Sequence, residues 1–173
     1  GRGEEIGLLG RRWEQSQAGL GQVVFVSGEA GIGKSALVEG LRAQVCTEGL
    51  PRSIYSCSPY HTTSAFYPVI THIEHLLQFA PDDPPAARLA KLEAVLQPYG
   101  LPLAEVVPLL AGLLSVPLPA ERYAALTLTP QHQKQQTLDA LVAWLVAEAE
   151  RQPVLVAWED LHWPDPTTLE LLG

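Results

Sequence analysis

The stretch from Val23 to Val38, VVFVSGEAGIGKSALV, constrains the fold more than any other part of the chain. It contains GEAGIGKS, which fits the pattern G-x-x-x-x-G-K-[ST], with an apolar run before it and a helix-like run after it. Gly28, Gly31 and Gly33 allow the backbone to form a tight loop whose N–H groups point inward. If this were a glycine-rich turn that binds no ligand, nothing in its structure would require Lys at position 34 and Ser at position 35. The sequence therefore predicts a phosphate-binding loop between a strand and a helix.

The residue types in this loop fit a triphosphate and its metal ion. Lys34 can reach the β- and γ-phosphates as a point charge, and the helix that begins there adds its positive end. The Ser35 hydroxyl can bind Mg²⁺, which bridges the same phosphates. We therefore expect ATP and Mg²⁺ as the bound cofactors. The predicted nucleotide-binding residues are Gly28, Glu29, Ala30, Gly31, Ile32, Gly33, Lys34, Ser35 and Ala36.

Composition narrows the class of protein. The chain has 173 residues, of which 47% are hydrophobic and 17% charged, so we expect a globular domain. A net charge of -8 argues against a nucleic-acid-binding surface, and no apolar run reaches the roughly 18 residues of a membrane span. We expect a cytoplasmic protein whose Cys46 and Cys57 are small buried residues rather than a disulfide. The start at Gly1 and the end inside a predicted helix suggest a C-terminally truncated fragment of a longer protein.

Apolar periodicity and helix-breaking residues predict the order of the elements. Helices are expected at 4–18, 34–47, 64–79, 86–96, 101–114 and 130–151, and strands at 22–27, 52–58 and 154–158. The strand–helix–strand order over 22–58 is a βαβ unit, which implies a parallel sheet flanked by helices in an α/β fold. Residues 64–150 would form a helical insertion before the last strand. Within it, Pro108 is expected to interrupt the helix at 101–114, and Thr129 is expected to cap the helix at 130–151, with Pro130 at its first position.

Two carboxylates follow the last predicted strand. The run PVLVAWED places Glu159 and Asp160 at its carboxyl end, where the ligands of open α/β sheets bind. Glu159 would contact Mg²⁺, and Asp160 would act as the general base for an attacking water. An exposed acidic strand end without function is the alternative. Together with the loop, the predicted catalytic residues are Lys34, Glu159 and Asp160, and the metal ligands are Ser35 and Glu159.

In these segments the chain resembles the nucleotide-binding domain of signal-transduction ATPases with numerous domains, the STAND branch of the AAA-type P-loop ATPases. The matching segments are Gly1-Arg2-x-x-Glu5, GQVVFVSGEAGIGKSALVEGL, YSCSPYHTTSAFYPVI, LTPQHQKQQTLDALV and PVLVAWEDLHWPDPTTLELL. The last three are most similar to the ATPase module of large bacterial proteins with a class III adenylate/guanylate cyclase domain and tetratricopeptide-like repeats. Regulators with a LuxR-type DNA-binding domain come next.

The resemblance implies that residues 1–173 are the N-terminal part of one such ATPase domain, with the 64–150 insertion before its Walker B strand. It implies ATP-dependent switching, covalently linked effector and repeat domains, nucleotide-dependent self-association, and a Gly1-Arg2 segment near the adenine. The order Glu159-Asp160 departs from the family, in which Asp comes first. A misplacement of about 1 Å can cost on the order of a hundredfold in rate, so we expect a slow ATPase. A nucleotide-gated interaction scaffold and a small-molecule phosphotransferase remain as alternatives.

Other polar residues have competing interpretations. His162, which precedes Trp163, could sense the γ-phosphate or simply pack in its loop, and His61 could lie at the site edge. Asp165, between two prolines, is expected to cap the last helix. His72, Glu74 and His75 invite a metal interpretation, but their spacing fits no zinc pattern, so a packed or solvated helix face is preferred. The residues expected on a solvated helix start are His132, Lys134, Gln135 and Gln136.

Overall fold

The computed structural model describes residues 3–45 and 52–173, which form seven α-helices and two β-strands. In chain order these are α1 (Gly3–Gln17), α2 (Lys34–Val45), β1 (Arg52–Ser56), α3 (Tyr67–Leu76), α4 (Pro85–Leu96), α5 (Leu103–Leu113), α6 (Pro130–Ala149), β2 (Leu155–Glu159) and α7 (Pro166–Leu172), with a 3₁₀ turn at Gln97–Tyr99. Within those residues, no helix is both long and apolar enough to cross a membrane.

The two strands form a small parallel sheet. Ile54 pairs with Ala157 and Ser56 with Glu159, and the Cys57 N–H extends the ladder by donating to the Glu159 carbonyl at 3.1 Å. Parallel strands need a long crossover connection, which here runs through α3, α4, α5 and α6. The predicted α/β class is confirmed at this level, as a mixture of helices with a small parallel sheet.

The predicted strand at 22–27 is wrong for this structure. The segment forms no ladder with β1 or β2, and Val23 and Phe25 are 82% and 87% exposed. An apolar run identifies a segment that a sheet would bury, but a strand also needs a neighbour with which to exchange backbone hydrogen bonds. Because no described segment supplies that neighbour, the chain leads into the phosphate loop as irregular backbone.

Helices α1 and α2 pack against each other through a small apolar cluster. Leu9 and Trp13, one helical turn apart on α1, are buried against Leu41 of α2. Leu155, the first residue of β2, packs against the same cluster. This contact places α2, which begins at the phosphate loop, beside the sheet. The predicted end of α2 at residue 47 lies outside the described residues.

The main hydrophobic core lies among α3, α4, α5 and α6. Its most deeply buried side chains are Val69, Leu92, Leu96, Val107 and Leu110. Helical structure was predicted for this region, but α3 begins at 67 rather than 64 because the residues before it form hydrogen-bonded turns. The proline at position 108 was expected to interrupt α5, yet it lies inside a continuous helix whose residues 106–111 are all buried.

Two predicted helix starts are confirmed. Thr129 is the N-cap of α6 and accepts a hydrogen bond from the His132 N–H at 3.3 Å. Asp165 is the N-cap of α7 and accepts from the N–H groups of Thr167 and Thr168, both at 3.0 Å. The acidic strand ends one residue later than predicted, so Glu159 belongs to β2.

Candidate functional site

The phosphate loop occupies the connection into α2, and two of its glycines adopt a left-handed backbone conformation. Gly31 and Gly33 have φ values of 77° and 95°, in the left-handed region that side chains with a Cβ rarely adopt. The Ile32 N–H donates to the Glu29 carbonyl at 3.3 Å, which closes a turn inside the loop. The loop from Gly28 to Ile32 is exposed, so its backbone is accessible to a ligand.

Lys34 is held by the loop that precedes it. Its Nζ donates to the carbonyl oxygens of Gly28 and Glu29, both at 3.0 Å. Lys34 is also the first residue of α2, whose first N–H groups have no partner within the helix. Ser35 and Ala36 follow it and are exposed. An ammonium group and unpaired N–H groups therefore share the helix N-terminus, which suits a phosphate group.

The acidic pair lies at the carboxyl end of β2. Glu159 is half-buried and pairs with Ser56 through the sheet, whereas Asp160 is exposed and has a φ of 57°. The Asp160 carbonyl accepts from the Trp163 N–H at 2.9 Å, so the chain turns sharply there. Aspartate tolerates this left-handed conformation better than most residues, although it is uncommon outside glycine. The turn leaves the Asp160 carboxylate in solvent at the end of the strand.

The loop and the acidic pair belong to different elements. Leu155 of β2 contacts the α1–α2 cluster, which joins these elements at the amino end of the strand. Across residues 3–45 and 52–173, no hydrogen bond or ion pair joins Lys34 or Ser35 to Glu159 or Asp160. Their joint action on one nucleotide stays a prediction, as do the individual roles assigned to the loop residues and to the acids. The Gly1-Arg2 segment lies outside the described residues.

A buried thiol and a buried carboxylate lie behind the acidic pair. Cys57 follows β1, is 5% exposed and forms no disulfide. Burial raises the pKa of the Cys57 thiol, and the carboxylates of Asp165 and Asp160 raise it further. The Cys57 N–H donates to the Glu159 carbonyl, so Cys57 lies beside the end of β2. Cys46 lies outside the described residues.

Asp165 has a contact that its position in the sequence did not reveal. Besides capping α7, its Oδ1 accepts from the Phe66 N–H at 3.3 Å, and Phe66 is the N-cap of α3. An acid between two prolines signals a cap, but no local pattern points to a partner 99 positions away. Asp165 is only 2% exposed, so this is a buried link between two helix starts.

Two histidines near the strand ends contact aromatic rings. His61, after β1, stacks on Tyr67 with ring centroids 3.6 Å apart and planes inclined by 10°. The exposed ring of His162 lies 5.2 Å from that of Trp163. His61 therefore has a packing role in this structure. The γ-phosphate role of His162 stays a prediction.

The remaining histidine pair lies on α3. The His72 ring lies 4.7 Å from that of Tyr55, and burial lowers the pKa of His72, with His75 adding to the effect. Among the described parts of the chain, no group of three or more His, Cys, Asp or Glu side chains is arranged to hold a metal ion. His72 is thus a packed side chain.

The side chains expected on a solvated helix start at α6 lie at the surface. His132, Gln135 and Gln136 are exposed, and Gln135 donates to the Asp139 carboxylate at 3.0 Å. The Lys134 side chain is 37% exposed and pairs with Glu170 of α7 at 2.7 Å, so this surface ion pair also joins two helices. The sequence did not reveal this pairing, because the partner comes from a distant part of the chain.

Comparison with known proteins gives two matches. A family model described as "AAA ATPase domain" matches residues 1–173. An uncharacterised protein of Rhizobium meliloti (strain 1021) is 28% identical over an alignment of 177 residues that covers 99% of this chain. The chain spans only 16% of the length of that relative. No solved structure gives a significant match.

Proposed function

The chain belongs to the family of AAA ATPase domains, and from this premise we propose that it is a regulatory switch module that binds ATP with Mg²⁺ and hydrolyses it slowly. The observation that carries the proposal is the phosphate loop, with Gly31 and Gly33 in left-handed backbone and Lys34 at the start of α2. Phosphate binding explains why glycine, lysine and serine occur at these positions, and few other functions would require this pattern.

Phosphate binding would use groups that the loop already presents. The backbone N–H groups over residues 28–36 would hold the phosphate oxygens, and Lys34 would exchange its two carbonyl partners for the β- and γ-phosphates. Mg²⁺ favours oxygen ligands, and the Ser35 hydroxyl and the Glu159 carboxylate supply them. When bound, this ion would neutralise charge on the β- and γ-phosphate oxygens.

Hydrolysis would use the exposed carboxylate of Asp160. As a water oxygen bonds to the γ-phosphorus, the bond from that phosphorus to the bridging oxygen breaks, and its electron pair stays with ADP. The proton of the attacking water passes to the Asp160 carboxylate. Glu159 would hold the metal ion, and the pairing of its backbone with Ser56 fixes the position from which its side chain extends.

Two features support a slow reaction. Glu159 precedes Asp160, so the proposed metal ligand has the longer side chain and the proposed general base has the shorter one. In the usual order of this family, Asp comes first. Asp160 also lies in left-handed backbone, which sets the direction of its carboxylate. A turnover below about 1 per second suits a timed switch better than a metabolic enzyme.

The setting that we propose is a multidomain cytoplasmic signalling protein of the STAND type, with a cyclase or a LuxR-type regulator as the linked effector. The greater length of the Rhizobium relative supports additional domains. ATP and ADP would be the small-molecule partners, and self-association would depend on which of them is bound. We propose no direct contact with nucleic acid or membrane for this segment, whose net charge of -8 disfavours anionic surfaces.

A nucleotide-gated interaction scaffold without useful hydrolysis is the second candidate. The observation in its favour is the exposed apolar segment at 22–27, where Phe25 is 87% exposed directly before the phosphate loop. A nucleotide bound to the loop could alter how such a segment contacts a partner. No observation supports the phosphotransferase alternative.

Phosphate release separates the two candidates. In the full natural protein, Asp160→Asn should lower release at least about a hundredfold and leave the ATP dissociation constant within about threefold. Asp139→Asn removes the same charge from an exposed site on α6 and serves as the control. An absence of release in the wild type would favour the scaffold, and unchanged release in Asp160→Asn would exclude Asp160 as the base.

A further inference from the structure

Asp165 is a buried carboxylate that satisfies several donors at once. Oδ1 accepts from three backbone N–H groups, those of Phe66, Thr167 and Thr168. Oδ2 accepts from the Thr168 hydroxyl at 2.5 Å. None of the ion pairs in the described residues includes this carboxylate, so donors at helix starts compensate its charge.

The bond to Phe66 joins the chain segments that follow the two strands. Phe66 ends the segment between β1 and α3, is 5% exposed and has a φ of 59°. Asp165 ends the segment between β2 and α7. The sheet ties these segments together at their beginnings, where the Cys57 N–H donates to the Glu159 carbonyl. The Asp165–Phe66 bond ties them again at their ends.

Asp160 lies between these two ties. A residue other than glycine in left-handed backbone persists only where the surrounding structure holds it. Here the strand fixes one side of Asp160, and the loop from Asp160 to Asp165 fixes the other, with Pro164 limiting its freedom. Releasing Asp165 would therefore leave the backbone of Asp160 held only by the strand and by the Trp163 N–H that donates to the Asp160 carbonyl.

We propose that Asp165 is a positioning residue, which holds the loop from Asp160 to Asp165 so that the Asp160 carboxylate meets the attacking water. The inference rests on the proposed ATPase function, in which Asp160 is the general base, and it names the residue that holds Asp160 in position. Asp165 is buried, and in this role it would act only through Asp160.

The first test separates turnover from binding in the full natural protein. Asp165→Ala should lower kcat for ATP hydrolysis at least about tenfold, with the ATP dissociation constant within about threefold of wild type. Asp165→Asn keeps an oxygen acceptor and the shape of the side chain, so it should recover most of the lost kcat. Thr129→Ala, which removes the cap of α6 only, controls for the loss of a helix cap and should keep wild-type kcat. Wild-type kcat in folded Asp165→Ala would overturn the proposal.

The second test needs no turnover and therefore separates this inference from the proposed function. In wild type, hydrogen exchange at the backbone amides of 160–163, which include the Trp163 N–H that donates to the Asp160 carbonyl, should be at least about tenfold slower than in Asp165→Ala. Thr129→Ala should match wild type. If the alanine variant does not fold, Thr168→Val, which removes only the Oδ2 partner, should accelerate exchange of the same amides. Unchanged exchange at 160–163 in whichever variant is measured would overturn the proposal even if the wild type hydrolyses ATP.

Discussion

Asp165→Ala should destabilise the fold by more than the loss of a helix cap. Removing an N-cap acceptor costs about 1 kcal/mol, and leaving the buried Phe66 N–H without a partner adds about 1–3 kcal/mol. These costs sum to about 2–4 kcal/mol. Part of the sum is offset because a buried charge disappears, so we expect a loss of about 1.5–3 kcal/mol in the free energy of unfolding.

Urea unfolding followed by circular dichroism measures this loss, with Thr129→Ala as the matched control. Thr129 caps α6 through one hydrogen bond, and no other element among the described residues supplies its side chain with a partner. Its replacement should cost about 1 kcal/mol. An equal loss in the two variants would show that the Phe66 bond contributes nothing, and would refute the link between the two helix starts.

Two further predictions concern the phosphate loop and a half-buried acid. Gly33→Ala should weaken ATP binding about 5- to 30-fold, because a φ of 95° costs a residue with a Cβ about 1–2 kcal/mol. Gly19→Ala is the control: its φ of 85° after α1 gives similar strain away from the loop. This variant should bind ATP like wild type in the same titration. Burial raises the pKa of Glu148, so its contribution to stability is full below its ordinary pKa and is lost as the pH rises through the folded value. Glu148→Gln should therefore unfold at higher urea than wild type at pH 8 and at the same urea at pH 4; a constant difference at both pH values would contradict this.

The sequence predicted the features that depend on neighbours in the chain. The loop glycines, the caps Thr129 and Asp165, and the position of Glu159 at a strand end follow from local patterns. Each of these features depends on a few consecutive residues, which either supply hydrogen bonds to nearby backbone N–H groups or allow a backbone conformation that other residues avoid. Local patterns were therefore sufficient to locate both halves of the candidate site.

The sequence could not predict features that depend on distant partners. The segment 22–27 has the composition of a buried strand, but no described strand pairs with it. Lys134 lies at the surface as expected, but its pairing with Glu170 of another helix was not predicted. Asp165 was predicted as a cap, but its bond to Phe66 was not. In each case the deciding group comes from another element, and one sequence contains no signal for such a pairing.

Binding of Mg-ATP is the most direct measurement of whether this chain is a nucleotide switch. Isothermal titration should show one saturable site, and Lys34→Ala should weaken it at least about tenfold, because charge-assisted bonds to phosphate are lost. Lys134→Ala removes the same charge away from the loop and should bind like wild type. An absence of saturable binding, or equal affinities for the two lysine variants, would contradict the central claim.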